Sequence, residues 1–283
     1  MSDENPILIY WRSELEVFNK NLLSLRQQMN EEAVHDLRVA IKKLRSCFKI
    51  YSELVKKKNK NGLPPGVDSL FSILGKQRDI EMSKKLLLSL GGKNKAFLNP
   101  MLVYLQLLQD QAGEYSRPSI QQLEPGKFDG LTNQMQAGLV KMDNEELLSK
   151  SKEAVNSSVE KVEDDLNHFK ERSHLVRKKL KDIFYQSKMF HANGTFSKPE
   201  LKTLDGILDY LGDIHDHDVL ISNLKNFRKT ILVNKMKEYA MIKRIEERAK
   251  KKKDDLLDKA YTATEKLIAD HKKDDHQEEE SDQ

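Results

Sequence analysis

Cysteine is nearly missing from this chain, with Cys47 the only one. A lone thiol closes no intrachain disulfide and cannot build a Cys-based zinc cluster, so a reducing compartment is expected. Glycine and proline are scarce, at 12 and 7 of 283 residues, which disfavours turn-rich sandwiches and barrels. Apolar residues never run unbroken for the roughly 18 positions that a transmembrane helix needs. The opening MSDENPILIYWRSELEVF is acidic in front and reaches charge after a few apolar residues, unlike a signal peptide. These absences predict a soluble cytoplasmic protein with no membrane partner. Aromatic residues make up only 7% and follow the apolar faces instead of alternating with cations, which argues against stacking on nucleic-acid bases.

What the chain does have is charge. Charged residues reach 33% against 38% hydrophobic, the balance of long amphipathic helices, and the expected class is all-α. The length suits one large domain or two of ordinary size. The net charge is +4, but the closing HKKDDHQEEESDQ holds two Lys against six acids, so the rest of the chain carries about +8. That excess favours a polyanionic partner if it is gathered on one surface.

Apolar positions recur at helical spacing almost throughout. The pattern predicts helices over 7–28, 31–58, 67–90 and 95–111, with NGLPPG (61–66) and Gly91-Gly92 as breaks. The loop GEYSRPSIQQLEPGK (113–127) is the expected boundary between a first bundle (1–112) and a second (128–270). Weaker helices are expected within 128–143 and 144–168, a strong one over 171–191, then 199–212, 216–232 and 234–269. Ser197 is placed to cap the helix that Pro199 opens. Residues 271–283 read as a disordered acidic tail.

The two halves resemble each other. RVAIKKLRSCF (38–48) overlays HLVRKKLKDIF (174–184) at an offset of 136, and SLFSILGKQRDIE (69–81) overlays GILDYLGDIHDHD (206–218) at 137. Leu74-Gly75 then matches Leu211-Gly212, Asp79 matches Asp216, and Arg78 matches His215. An internal duplication is the natural reading.

A basic stripe runs along the second helix. At 100° per residue His35, Arg38, Lys42, Arg45 and Lys49 fall in an arc of about 80°, flush against the apolar Leu37, Ile41, Leu44, Phe48 and Tyr51. No acid on the helix interrupts the stripe, although like charges at i, i+3 and i+4 repel. The second half carries a line of His174, Lys178, Lys181 and Tyr185, with Arg177 beside it. A solvated row of cations could look the same, but two rows in matching places suggest one anion site between the halves. Arg supplies bidentate bonds to phosphate, Lys a point charge, and His a charge that depends on pH.

The spacing H-x-x-R-x-x-x-K-K-x-R in His35 to Arg45, followed by LGKQRDIE and LGDIHDHDVL, resembles the CHAD domain, the conserved-histidine α-helical domain, over about residues 4–250. The resemblance implies two pseudo-symmetric antiparallel four-helix bundles with a basic groove or pore between them, binding inorganic polyphosphate. It implies anion ligands at His35, Arg38, Lys42, Arg45 and Arg78. In the second half His174, Lys178 and Lys181 take the Arg, Lys and Arg places, and Glu171 stands where the histidine would be. Family members are often fused to a CYTH triphosphatase domain with an E-x-E-x-K strand. That motif does not occur here, so a stand-alone CHAD protein is expected.

LGDIHDHDVL (211–220) invites a metal-site reading, but a helix sets His215 and His217 about 200° apart. As the second copy of the Arg78 motif, His215 is better read as a phosphate ligand, and His217, which aligns with Ile80, as a packing residue. The expected function is therefore non-catalytic polyphosphate binding, without metal or cofactor, with weak cross-binding to nucleic acid and association with polyphosphate granules. The alternatives are a polyphosphate or nucleotide phosphohydrolase and a general polyanion or RNA binder. The lysine runs 56–58 and 250–253 read as solvated charge, Tyr10 and Trp11 as packing, and His168 and His191 as surface or helix-end residues.

Overall fold

The computed structural model describes residues 5–55, 62–92, 95–190, 195–232 and 237–281, and all regular structure among them is helical. In chain order the helices are α1 (Pro6–Gln27), α2 (Glu31–Leu54), α3 (Val67–Leu90), α4 (Asn99–Gln122), α5 (Asp129–Leu139), α6 (Asn144–Leu166), α7 (Phe169–Met189), α8 (Lys198–Thr230) and α9 (Lys237–Ser281). The Lys56–Lys58 run and His191 lie outside the described residues.

The helix starts follow side-chain chemistry. Asn5, Asn30 and Asp143 each accept a backbone N–H from the first turn that follows them, at 3.0, 2.7 and 2.7 Å. Ser197 and Glu200 form a reciprocal capping box with Pro199 in the first turn, as the sequence predicts for α8. Gly66 (φ 92°) and Gly92 (φ 67°) take left-handed conformations at the start of α3 and after its end.

Three expected breaks are absent. The predicted loop over 113–127 is helical up to Gln122, with Pro118 inside α4. Proline there removes one backbone bond, but α4 is anchored at both ends, by Met101 and Leu105 and by Ile120, all in the core. The predicted pair of helices over 199–212 and 216–232 is the single α8, because Gly212 lies in mid-helix instead of ending it. The acidic tail expected to be disordered continues α9 as helix up to Ser281. Once a long packed helix is nucleated, the Lys, Gln and Glu that follow are good formers that propagate it.

The core divides into three clusters. The first gathers α1, α2 and α5 with the start of α3 and the end of α4. Its aromatic centre sets Trp11 and Phe18 edge-on to Phe128, with centroids 5.9 and 5.0 Å apart, while Trp11 Nε1 donates to Thr132 Oγ1 at 2.9 Å. The second joins α6, α7, the first half of α8 and the later part of α9. The third packs the far ends of α3 and α4 against the far end of α8 and the start of α9. α2 packs on α3 and α7, and α8 packs on α3 and α7, so these four helices meet along a central seam.

Candidate anion site

The seam brings cations from four helices together. Across α2 and α7 the charges of Arg38 and Arg177 repel each other, and those of Lys42 and Lys181 do the same. Across α3 and α8, His215 Nε2 lies 3.6 Å from Asp79 Oδ1, and Arg78 and Asp216 act on each other electrostatically. His35 on α2 feels the charge of Arg78, which ties the two ends of the cluster.

Each central arginine lies over a helix glycine. A β-carbon on Gly75 would meet Arg38 Nη1 at 2.7 Å, and one on Gly212 would meet Arg177 Nη2 at 3.5 Å. Glycine in a helix interior costs about 1 kcal/mol relative to alanine. At Gly75 that cost coincides with the room the guanidinium needs. Arg38 also donates to the Phe71 carbonyl at 2.6 Å and lies 4.4 Å over the Phe71 ring, where Arg45 stacks at 4.1 Å and Lys42 reaches 5.9 Å. Phe71 is thus a shared cation platform, a role the sequence does not announce because its spacing reads only as core.

Crowding like charge in a half-dry seam has electrostatic consequences. Burial, then Lys181, Arg38 and Arg177, hold the Lys42 amine down at about 6, and the charges acting on it most strongly are all positive. Burial and Arg177 lower Lys181 to about 8. Burial also holds both Arg38 and Arg177 below the ordinary guanidinium value, against the pull of Asp79 on each and of Asp216 on Arg177. His35 is lowered by burial and by Arg78. Asp216 is raised by burial, although His215, Arg78 and Arg177 favour its ionised form. Such a site is short of negative charge, and an anion entering it would relieve several repulsions at once.

The seam thus unites His35, Arg38, Lys42, Arg78, Arg177, Lys181 and His215. Other expected ligands stand differently. Arg45 pairs with Asp68 at 2.5 Å and Lys49 with Asp182 at 2.7 Å, so for these two the counter-charge comes from α3 and α7. The reading of an acid-free stripe is corrected there, since periodicity along one helix cannot see acids on its neighbours. Arg78 also pairs with Glu81 at 3.0 Å. His174 and Lys178 are exposed on α7.

Across α2 and α7 the charges of Arg177 and Lys181 act on Lys42, and those of Arg38 and Arg177 act on Lys181. The spacing H-x-x-R-x-x-x-K occurs in both helices, at His35, Arg38 and Lys42 and at His174, Arg177 and Lys181. Lys178 falls beside the pattern, about 100° around the helix from Arg177.

The HDHD stretch is regular helix within α8. His217 is buried, with Nδ1 donating to the Asp213 carbonyl at 2.7 Å, whereas His215 faces Asp79. Tyr185 is pushed up to about 12 by burial and acted on by Arg177, and Tyr10 is acted on by Glu14 and Tyr185. Glu14 in turn accepts from Lys43 at 2.7 Å. Trp11 is fully buried, as expected of a packing residue.

Comparison with known proteins agrees with this architecture. The CHAD domain family model matches residues 9–225, and the chain belongs to the CHAD family. Among solved structures it is similar to the CHAD domain from the plant Ricinus communis, with 18% identity, a TM-score of 0.67, and 92% of this chain and 90% of that one covered. It is likewise similar to PptA from Streptomyces chartreusis, with 14% identity, a TM-score of 0.64, and coverage of 93% and 97%. No curated protein matches the sequence. Among the described residues no helix is long and apolar enough to cross a membrane.

Proposed function

We propose that this protein binds inorganic polyphosphate without transforming it, in a basic groove between two copies of a duplicated helical unit. One observation carries the reading: Arg38, Lys42, Arg177 and Lys181 converge from two helices, and the charges acting most strongly on Lys42 are all positive. The paired arrangement Arg38 over Gly75 and Arg177 over Gly212, with Asp79 and Asp216 beside them, supports the duplication. Asp79 and Asp216 pull on the arginines and on His215, a role of holding cations in place rather than of activating water.

A chain of phosphoryl groups suits the site better than a nucleic acid does. Phosphoryl oxygens accept charge-assisted bonds from guanidinium and ammonium groups along the whole ligand. Bases would need free aromatic faces, and the Phe71 ring is already covered by Arg38 and Arg45. A cytoplasmic setting and association with polyphosphate granules follow as part of the same proposal.

Competition among long-chain polyphosphate, single-stranded RNA and duplex DNA at matched charge and salt tests the reading. Polyphosphate should win. Equal affinity for RNA would make the protein a general polyanion binder, and metal-dependent phosphate release by the purified chain would make it a hydrolase.

A further inference from the structure

We propose that Glu81 is a positioning residue of the anion site: it holds the Arg78 guanidinium at the seam through a direct ion pair, and is itself held by Lys85 and Glu31. The inference rests on the anion-binding reading above and concerns how one cation of that site is aimed.

The cations of the seam are fixed by different means. Arg38 is located by the Phe71 carbonyl at 2.6 Å, by the Phe71 ring and by the hollow over Gly75. Arg78 is located by a carboxylate: its Nη1 donates to Glu81 Oε1 at 3.0 Å, one turn further along α3. Glu81 is only 8% exposed, and a carboxylate so far from water is tolerated where it is paired and hydrogen-bonded. Lys85, a turn further again, donates to the same Oε1 and also reaches Glu31 Oε2 at 3.3 Å. Glu31 opens α2, four residues before His35. The ion pairs running from Arg78 through Glu81 and Lys85 to Glu31 therefore tie α3 to the end of α2 at which the His35, Arg38, Lys42 stripe begins.

This chain holds two cations and two carboxylates, so it adds no net charge to the site. What it adds is order. An arginine loses side-chain freedom when it grips a ligand, and a guanidinium already held in place loses less. The guanidinium has five N–H donors, and the bond to Glu81 leaves others for phosphoryl oxygens. Coulomb's law acts in the other direction, because a carboxylate repels an incoming polyanion and on charge alone its removal would tighten binding. Positioning and charge thus predict opposite outcomes for the same substitutions. The second copy of the motif is arranged differently: at the 137 offset Glu81 corresponds to Asp218, which accepts from Lys253 of α9 at 2.7 Å, while His215, the counterpart of Arg78, faces Asp79. The holder of a long arginine belongs to the first copy.

Titration with long-chain polyphosphate at fixed salt, with a thermal melt of each variant to show that it is folded, separates the two effects. Glu81→Asp keeps the charge but withdraws the carboxylate by one methylene, and should bind about three- to tenfold more weakly than the wild type. Glu81→Gln drops the charge but keeps the reach and an acceptor oxygen, and should bind close to the wild type. In an Arg78→Met background Glu81→Asp should cause no further loss, because the residue acts through Arg78. Wild-type affinity in Glu81→Asp, or the same loss with and without Arg78, overturns the positioning role and leaves the anion site intact. Absence of polyphosphate binding by the wild type overturns the anion site and the positioning role with it.

Discussion

The Arg38 guanidinium occupies the space that a side chain on Gly75 would need: an added β-carbon would lie 2.7 Å from Nη1. Gly75→Ala therefore separates stability from binding. Alanine favours the helix by about 1 kcal/mol, which should offset the displaced guanidinium and leave Tm within a few degrees. Polyphosphate affinity should drop by about tenfold or more, the scale of one charged hydrogen bond. Gly212→Ala, where the Arg177 contact is an ordinary 3.5 Å, should cost less. Thermal melts beside binding titrations read both effects, and unchanged affinity in Gly75→Ala would show that Arg38 does not contact the ligand.

Phe71 carries Arg38 and Arg45 on its ring, 4.4 and 4.1 Å from the centroid. Phe71→Leu keeps an apolar side chain and removes the π face, at a cost of roughly 0.5–1 kcal/mol for each cation held. Polyphosphate affinity should fall about three- to tenfold with helix content unchanged by circular dichroism. A variant that binds like the wild type would reduce Phe71 to a core residue.

Lys49 and Arg177 differ in who neutralises them. Lys49 is paired with Asp182 and nearly half exposed, whereas Arg177 has its Nε buried without a hydrogen-bond partner. Lys49→Ala should leave polyphosphate affinity within about twofold, in keeping with the small worth of exposed ion pairs. Arg177→Gln should lower it at least tenfold, roughly the loss of one charged hydrogen bond. Equal losses at the two positions would place the ligand along the whole α2 stripe, outside the seam.

Lys42 also makes stability depend on pH. Its amine ionises near 6 in the folded protein and near the ordinary 10.5 when unfolded, so the unfolded chain binds more protons across that interval. Stability must then rise with pH over the interval, and the penalty for burying Lys42 is complete below it. Lys42→Met removes the penalty, so at pH 7 the variant should melt above the wild type, with the gap closing towards pH 10. A gap that does not change with pH would mean that Lys42 is no more buried than an ordinary surface lysine.

Much of this was legible in the sequence, and the rest was hidden for physical reasons. The His35, Arg38, Lys42 pattern beside an apolar face, the Leu-Gly pairs, and the Ser197 cap all follow from spacing along one helix. Which charges act on one another across the seam did not, because periodicity describes one helix at a time. Arg38 to Lys42 and Arg177 to Lys181 subtend the same rotation of about 40° on their helices. The acids that neutralise Arg45 and Lys49 lie on other helices, beyond the reach of any periodicity. Gly212 and Pro118 read as breaks because propensity is local, and helices packed on both sides of such a residue override it.

The central claim is that Arg38 and Arg177 jointly grip one polyanion from opposite helices. The most direct test is the affinity for long-chain polyphosphate as a function of salt, for the wild type and for Arg38→Ala with Arg177→Ala. By analogy with nucleic-acid backbones, the wild type should lose affinity steeply with salt, and the double variant should bind about 100-fold more weakly with a log–log slope shallower by one to two units. A double variant that keeps both the affinity and the slope would contradict the account.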